Sequence, residues 1–191
     1  MSTETIRVLA ISGSLRSGSF NTAVVRTAID LARERGLPLD FEVAEIRDIP
    51  LYDEDVRSRG LPEPVARFRA QVGAAQAILV VTPEYNYSLP GPLKNAIDWA
   101  SRPPAQPFAG KPLAIMGASG GASGTMRAQY HLRQVAVFLD MLVLNKPEVF
   151  VRGAADKIAD GRVHDDATRA AIAEQLGALV AFARRVGATS G

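Results

Sequence analysis

Four stretches of this chain are apolar at nearly every position, yet none exceeds six residues: Ile6 to Ile11, Ala77 to Val81, Leu113 to Met116 and Met141 to Leu144. A strand with one wet face alternates apolar and polar residues, so nearly unbroken short runs mark strands covered on both faces. A fifth run, Leu39 to Val43, does alternate, with Asp40 and Glu42 between its apolar residues, and is expected at the margin of a sheet. The run ending at Leu144 is also expected at a margin, because Pro147 follows closely and proline cannot sit in mid-sheet.

Longer stretches of helical period separate these runs. Val24, Ala28 and Leu31 recur at four and three residues before Gly36, a residue suited to the left-handed position after a helix. Val65, Phe68 and Val72 mark a second helix behind Pro62 and Pro64, and Leu93, Ile97 and Ala100 a third, with Pro92 in its first turn. A fourth carries Leu132, Val135, Ala136 and Leu139; the last, entered at Asp165 or Asp166, carries Ile172, Leu176, Leu179 and Ala183. Strands and helices thus alternate, which requires right-handed crossovers and a parallel sheet with helices on both faces. With the second and fifth strands at the margins, the order is 2-1-3-4-5: an α/β, flavodoxin-like three-layer sandwich forming a single domain over 1–191. Ligands bind such sheets beyond the carboxyl ends of the strands, where the strand order reverses.

Few side chains are available for chemistry. There is no cysteine, and the two histidines are His131, inside the fourth helix, and His164, in a polar loop; neither is read as a catalyst. Disulfides, thiolate metal sites and cysteine nucleophiles are thereby excluded. Asp53, Glu54 and Asp55 are read as a solvated charge run. The 22 basic against 20 acidic residues give a net charge of +2, and the arginines are interleaved with acids, so no nucleic-acid partner is expected. No apolar stretch approaches the ~18 residues of a membrane span, and Met1 to Thr5 reads as neither a signal peptide nor an anchor, so a cytoplasmic protein is expected.

The unusual residues lie in three loops after the first, third and fourth strands. The first, Ser12 to Thr22, combines glycines, serines and Arg16 ahead of a helix, a composition that cradles anions through hydroxyls, amides and a guanidinium. Gly13 and Gly18 have the spacing of a Walker loop, but Ser19 and Phe20 stand where that loop needs Lys and Ser or Thr, and GxGxxG is absent. The second, Thr82 to Trp99, sets Tyr85 and Tyr87 between prolines, with Trp99 within fifteen positions of Tyr85, a stiff aromatic border for a flat heterocycle. The third, Gly117 to Thr125, has four glycines in eight positions and lets a ligand approach the backbone.

The segments GSLRSGSFN at 13–21, PEYNYSLPGPLKNAIDW at 83–99 and GASGGASGTMRAQYHLRQ at 117–134 resemble the NAD(P)H-dependent FMN reductase family, which includes bacterial quinone and chromate reductases. Pro92 departs from the small or branched apolar residue expected there. The resemblance implies bound FMN, with Ser14, Arg16, Ser19, Asn21 and Thr22 at its phosphate and ribityl chain. Pro83, Glu84, Tyr85, Asn86 and Tyr87 would border the isoalloxazine, and Ser119, Gly120 and Gly121 its pyrimidine edge. It further implies NADPH or NADH as reductant, and quinones, flavins or other small acceptors such as chromate as oxidants. A homodimer or homotetramer is expected, with Trp99, Arg102, Arg127, Tyr130 and Glu148 at subunit contacts. The flavin would carry the chemistry, with no catalytic side chain and no metal. Two other readings share the fold: a flavodoxin-type electron carrier, typically far more acidic than +2, and a scaffold that binds FMN without turnover.

Overall fold

The computed structural model describes residues 4–189. Met1 to Thr3, part of the segment read above as no signal peptide, lie outside them. In chain order the elements are β1 (Ile6–Ser12), α1 (Phe20–Glu34), β2 (Leu39–Ala44), α2 (Glu54–Arg57), α3 (Glu63–Ala74) and β3 (Ala77–Val81). Then follow α4 (Gly91–Ala100), β4 (Pro112–Ala118), α5 (Met126–Phe138), β5 (Leu142–Val143), β6 (Val149–Val151), β7 (Ile158–Ala159), β8 (Arg162–Val163) and α6 (Asp166–Thr189). The sheet runs β2-β1-β3-β4-β5 with every pair parallel, the expected order.

The apolar runs are explained by what covers each face. Val8 and Ala10 of β1, Leu79 of β3 and Ala114 of β4 point into a core closed by α1 and α6. Their neighbours Leu9, Ile11, Ile78, Val80, Leu113 and Ile115 point the other way, into a second core closed by α3, α4 and α5. With a layer of helices on each side, the central positions of these strands are apolar on both faces, and polar residues of β1 are confined to its ends, at the exposed Arg7 and at Ser12. At the margin, β2 leaves Val43 half exposed.

Three features differ from the sequence reading. The fifth strand is two short strands, β5 and β6, which pair with successive stretches of β4. Pro147 sits in the gap without an amide hydrogen, and Gln175 of α6 bridges it, donating from Nε2 to the carbonyls of Pro147 (2.6 Å) and Ile115 (3.1 Å). The charge run Asp53 to Asp55 is exposed, as expected, but it also forms the start of a helix, α2: Asp53 caps it, accepting from the Asp55 amide at 2.8 Å, and Glu54 accepts from Arg57 and from the Tyr52 hydroxyl. The antiparallel hairpin β7–β8 turns at Asp160 and Gly161, both at positive φ, and is tied to α1 by the Val163 amide donating to Thr27 Oγ1 at 2.9 Å.

Trp99, expected at a subunit contact, is instead fully buried. Its indole donates to the Pro50 carbonyl at 2.8 Å, and the ring of Tyr52 meets it edge-on at 4.9 Å between centroids. It is therefore a core residue of the α4 layer. No helix among the described residues is long and apolar enough to cross a membrane.

Candidate active site

The strand order reverses between β1 and β3, so the loops after these strands are adjacent at the carboxyl edge of the sheet. Gly13 makes the approach possible: a Cβ there would lie 3.1–3.2 Å from Thr82 Oγ1, Leu93 and Pro83. Its amide donates to Val81 O at 2.8 Å, and Pro83 is buried beneath the loop.

The β1 loop is organised around the start of α1. Ser19 caps the helix, its hydroxyl accepting from the amides of Asn21 (3.1 Å) and Thr22 (3.3 Å). The Thr22 hydroxyl lies 2.9 Å from that of Ser12, a residue the sequence reading had not singled out. The Ser14 hydroxyl accepts from the Arg16 amide at 3.4 Å. The Arg16 guanidinium donates to Gly18 O at 2.7 Å and lies over the Phe20 ring at 5.2 Å, so the cation is held beside the helix N-terminus. From the β2 side, Arg47 donates to Leu15 O; no sequence pattern marks that contact, because it joins residues far apart in the chain. Asn21 is committed differently from its neighbours. It is buried, its Nδ2 donates to Ala118 O (3.0 Å) and its Oδ1 accepts from Ala118 N (2.9 Å), so it clamps the end of β4 to α1.

After β3, Tyr85 and Ser88 exchange both backbone hydrogen bonds, closing a two-residue hairpin over Asn86 (φ 50°) and Tyr87 (φ 65°). Asn accepts the left-handed region readily, whereas a tyrosine there costs about 1–2 kcal/mol. Both rings face outward: Tyr85 is 52% and Tyr87 69% exposed. Glu84 turns inward, only 7% exposed at its side chain, and caps α5 by accepting from the amides of Arg127 (3.0 Å) and Ala128 (3.2 Å). The same carboxylate pairs with the Arg127 guanidinium at 2.6 Å, which lies 3.7 Å from the centroid of the Tyr87 ring. Arg127, expected only at a subunit contact, thus also shapes this loop, and so does His131, whose Nδ1 lies 2.7 Å from Ser88 Oγ.

The β4 loop is fixed at its ends and open in the middle. Gly117 is obligatory, since a Cβ would fall 1.9 Å from Thr125 Oγ1 and 2.5 Å from Thr82 O. At Ser119 the chain joins β6, its amide donating to Val151 O at 3.0 Å, and its hydroxyl points to Gly121 O at 3.4 Å. At Gly120 a Cβ would meet no protein atom within 4 Å, and at Gly121 only Ser119 Oγ at 4.0 Å. Protein packing therefore gives no reason for glycine at 120 and 121, whereas the close approach of a flat ring does. That open glycine face, the hydroxyl- and Arg16-lined cradle and the outward tyrosines fit the pyrimidine edge, phosphate and ring of FMN. The three loops that carry the residues expected around this cofactor lie along one edge of the sheet, with Glu84 and Asn21 directed into the scaffold.

A parallel α/β sheet with an anion cradle, an aromatic hairpin and a glycine loop at its switch point defines a flavin-nucleotide-binding protein of the flavodoxin-like class. Comparison with known proteins gives the same assignment. The profile of the NADPH-dependent FMN reductase family matches residues 6–156. The chain is 57% identical over 182 residues to an NAD(P)H-dependent FMN reductase of Pseudomonas aeruginosa, covering 95% of this chain and 97% of that one. It is 47% identical over 190 residues to the quinone reductase of Escherichia coli K12, covering 96% and 98%. Among solved structures, FerB, a flavoenzyme NAD(P)H:(acceptor) oxidoreductase from Paracoccus denitrificans, superposes with a TM-score of 0.85 at 34% identity over 95% of this chain and 98% of that one. The chain belongs to the NADPH-dependent FMN reductase family and is an oxidoreductase with FMN as its cofactor and NAD(P)H as its reductant.

Proposed function

We propose that this protein is a cytoplasmic reductase, a single domain over 1–191, that moves reducing equivalents from NAD(P)H to quinones and, by the breadth of the family, to other small acceptors such as free flavins or chromate. The observation that carries this reading is the pair of glycines Gly120 and Gly121, where an added Cβ would meet no protein atom closer than 4.0 Å, on a loop at the same edge of the sheet as the exposed rings of Tyr85 and Tyr87. The name of the Escherichia relative, a quinone reductase, supports the quinone assignment, and that of the Pseudomonas relative, an NAD(P)H-dependent FMN reductase, supports the reductant and the flavin.

FMN, when bound, supplies acceptance of a hydride and onward transfer of two electrons. The protein's part is to bind and orient. Ser14, Ser19, Thr22 and Arg16 hold the phosphate and ribityl chain; a phosphate monoester carries about −1.5 to −2 charge near pH 7, which a guanidinium and a helix N-terminus offset. Asn21 serves the same end by locking β4 to α1, so that the cradle and the glycine loop keep a fixed separation. Pro83, Tyr85, Asn86 and Tyr87 border the ring, with Glu84 holding that border against α5, and Ser119, Gly120 and Gly121 border the pyrimidine edge. The reading includes a homodimer or homotetramer, supported by the exposure of Val137 (79%) and Phe138 (81%) on α5.

Purified protein with FMN is expected to be yellow and to bleach on anaerobic addition of NADPH or NADH, with colour returning when a quinone is added. A colourless protein that takes up no FMN, or a flavin that NAD(P)H leaves oxidised, overturns the proposal.

A further inference from the structure

The Tyr85–Ser88 hairpin is closed by only two backbone hydrogen bonds, and both of its central residues occupy the left-handed region. Two-residue hairpins of this size are marginal by themselves, so whatever fixes this one lies outside it. Two tethers come from α5, from residues four apart and therefore on one face of the helix. Arg127 covers the Tyr87 ring, but its guanidinium is shared with Glu84. His131 is exposed, contributes nothing to the core, and its one hydrogen bond among the described residues joins Nδ1 to Ser88 Oγ at 2.7 Å. We propose that His131 is a positioning residue of this site: through Ser88 it holds the aromatic wall of Tyr85 and Tyr87 in register with the flavin ring and with an acceptor stacked upon it. The inference rests on the reading of this hairpin as the border of the isoalloxazine.

Loss of the bond shifts the wall without removing any group that holds the phosphate. Acceptor binding therefore weakens while FMN stays bound. The test compares His131→Ala, Ser88→Ala, the double variant and His131→Asn, whose side-chain amide places a hydrogen-bonding atom near the position of Nδ1. Each is titrated with FMN, its bound flavin is recorded by visible circular dichroism, and KM and kcat are measured with benzoquinone. Each alanine variant is expected to raise KM for benzoquinone by about 3–10-fold, the loss of one hydrogen bond, with kcat and FMN affinity within about 2-fold of the parent. The flavin bands change in both, the double variant is no worse than either single, and His131→Asn recovers much of the loss. Unchanged bands and KM in the alanine variants, additive losses in the double variant, or no recovery with asparagine would overturn the proposal. Failure of the parent protein to bind FMN marks a different error, in the assignment of the site rather than in the role of His131.

Discussion

Glycines 117 and 120 stand three residues apart in one loop and differ in what an added methyl would meet. Gly117→Ala drives a Cβ into Thr125 Oγ1 and Thr82 O, and Thr125, itself buried and left-handed, cannot withdraw without disturbing the start of α5. A loss of roughly 1–3 kcal/mol or more in denaturant unfolding is expected, as for other overpacked sites. Gly120→Ala meets no protein atom, so stability should stay within about 0.5 kcal/mol of the parent, while FMN affinity falls because the methyl enters the space assigned to the ring. Arg16→Ala should weaken FMN binding by about 1.5–3 kcal/mol, the range for a hydrogen bond to a charged group; unchanged retention in a fluorescence titration would move the phosphate elsewhere. The composition of these loops is legible in the sequence, but the division of labour within them is not. Asn21 and Glu84 have the residue types of ligand contacts, and only the fold reveals that Asn21 bonds to Ala118, 97 positions away, and that Glu84 caps a helix 43 positions on. A side chain's type states what it can bond, and distance along the chain hides what it does bond.

At the scale of elements, the strands and long helices are legible because two-sided burial and helical period are local patterns. The exceptions are short and held by tertiary contacts. α2 exists because Asp53 caps it and because Glu54 is drawn between Arg57 and the Tyr52 hydroxyl, contacts that hold the Glu54 carboxyl down at about 2 from an ordinary 4.5. A carboxylate with a depressed folded value adds stability that is complete above its unfolded value and is lost as pH falls toward the folded one. The packing of Tyr52 should therefore loosen between about pH 4.5 and 2. Tyr52 lies edge-on to Trp99, the chain's single tryptophan, so the emission of Trp99 reports the change. An acid-side step in fluorescence over that window, absent in Glu54→Gln, is the expected outcome; the same step in both proteins would place its cause elsewhere. The split of β5 from β6 is likewise set from outside, by Gln175 reaching the Pro147 carbonyl from α6. The proline signals a margin in the sequence, but not that the chain rejoins the sheet after it.

For the whole molecule, the near-neutral charge of +2 separates an enzyme for small substrates from an acidic electron carrier, and it also leaves copies of the chain free to approach one another. The sequence reading placed Trp99, Arg102, Arg127, Tyr130 and Glu148 at subunit contacts; with Trp99 buried, the apolar surface for such a contact has to come from other residues. α5 supplies it. Val137 and Phe138 stand 79% and 81% exposed at its end, and Leu142 of β5, at the open edge of the sheet, is 39% exposed. An apolar cluster beside an unpaired strand edge is the surface that monomers avoid and assemblies cover. Tyr130 and Arg127 continue the exposed face of α5 toward the candidate active site, with the Tyr130 hydroxyl donating to Glu148 at 2.9 Å. Burying a phenylalanine in an interface contributes about 1.5–3 kcal/mol, and a two-fold contact counts it on both sides. Phe138→Glu replaces that gain with two opposed carboxylates and should shift the protein toward its 20.4 kDa monomer in light scattering at micromolar concentration. The parent should scatter as at least twice that mass. A parent that is monomeric under the same conditions would remove the assembly from the proposed function. Equal masses for an oligomeric parent and the variant would move the contact away from the end of α5.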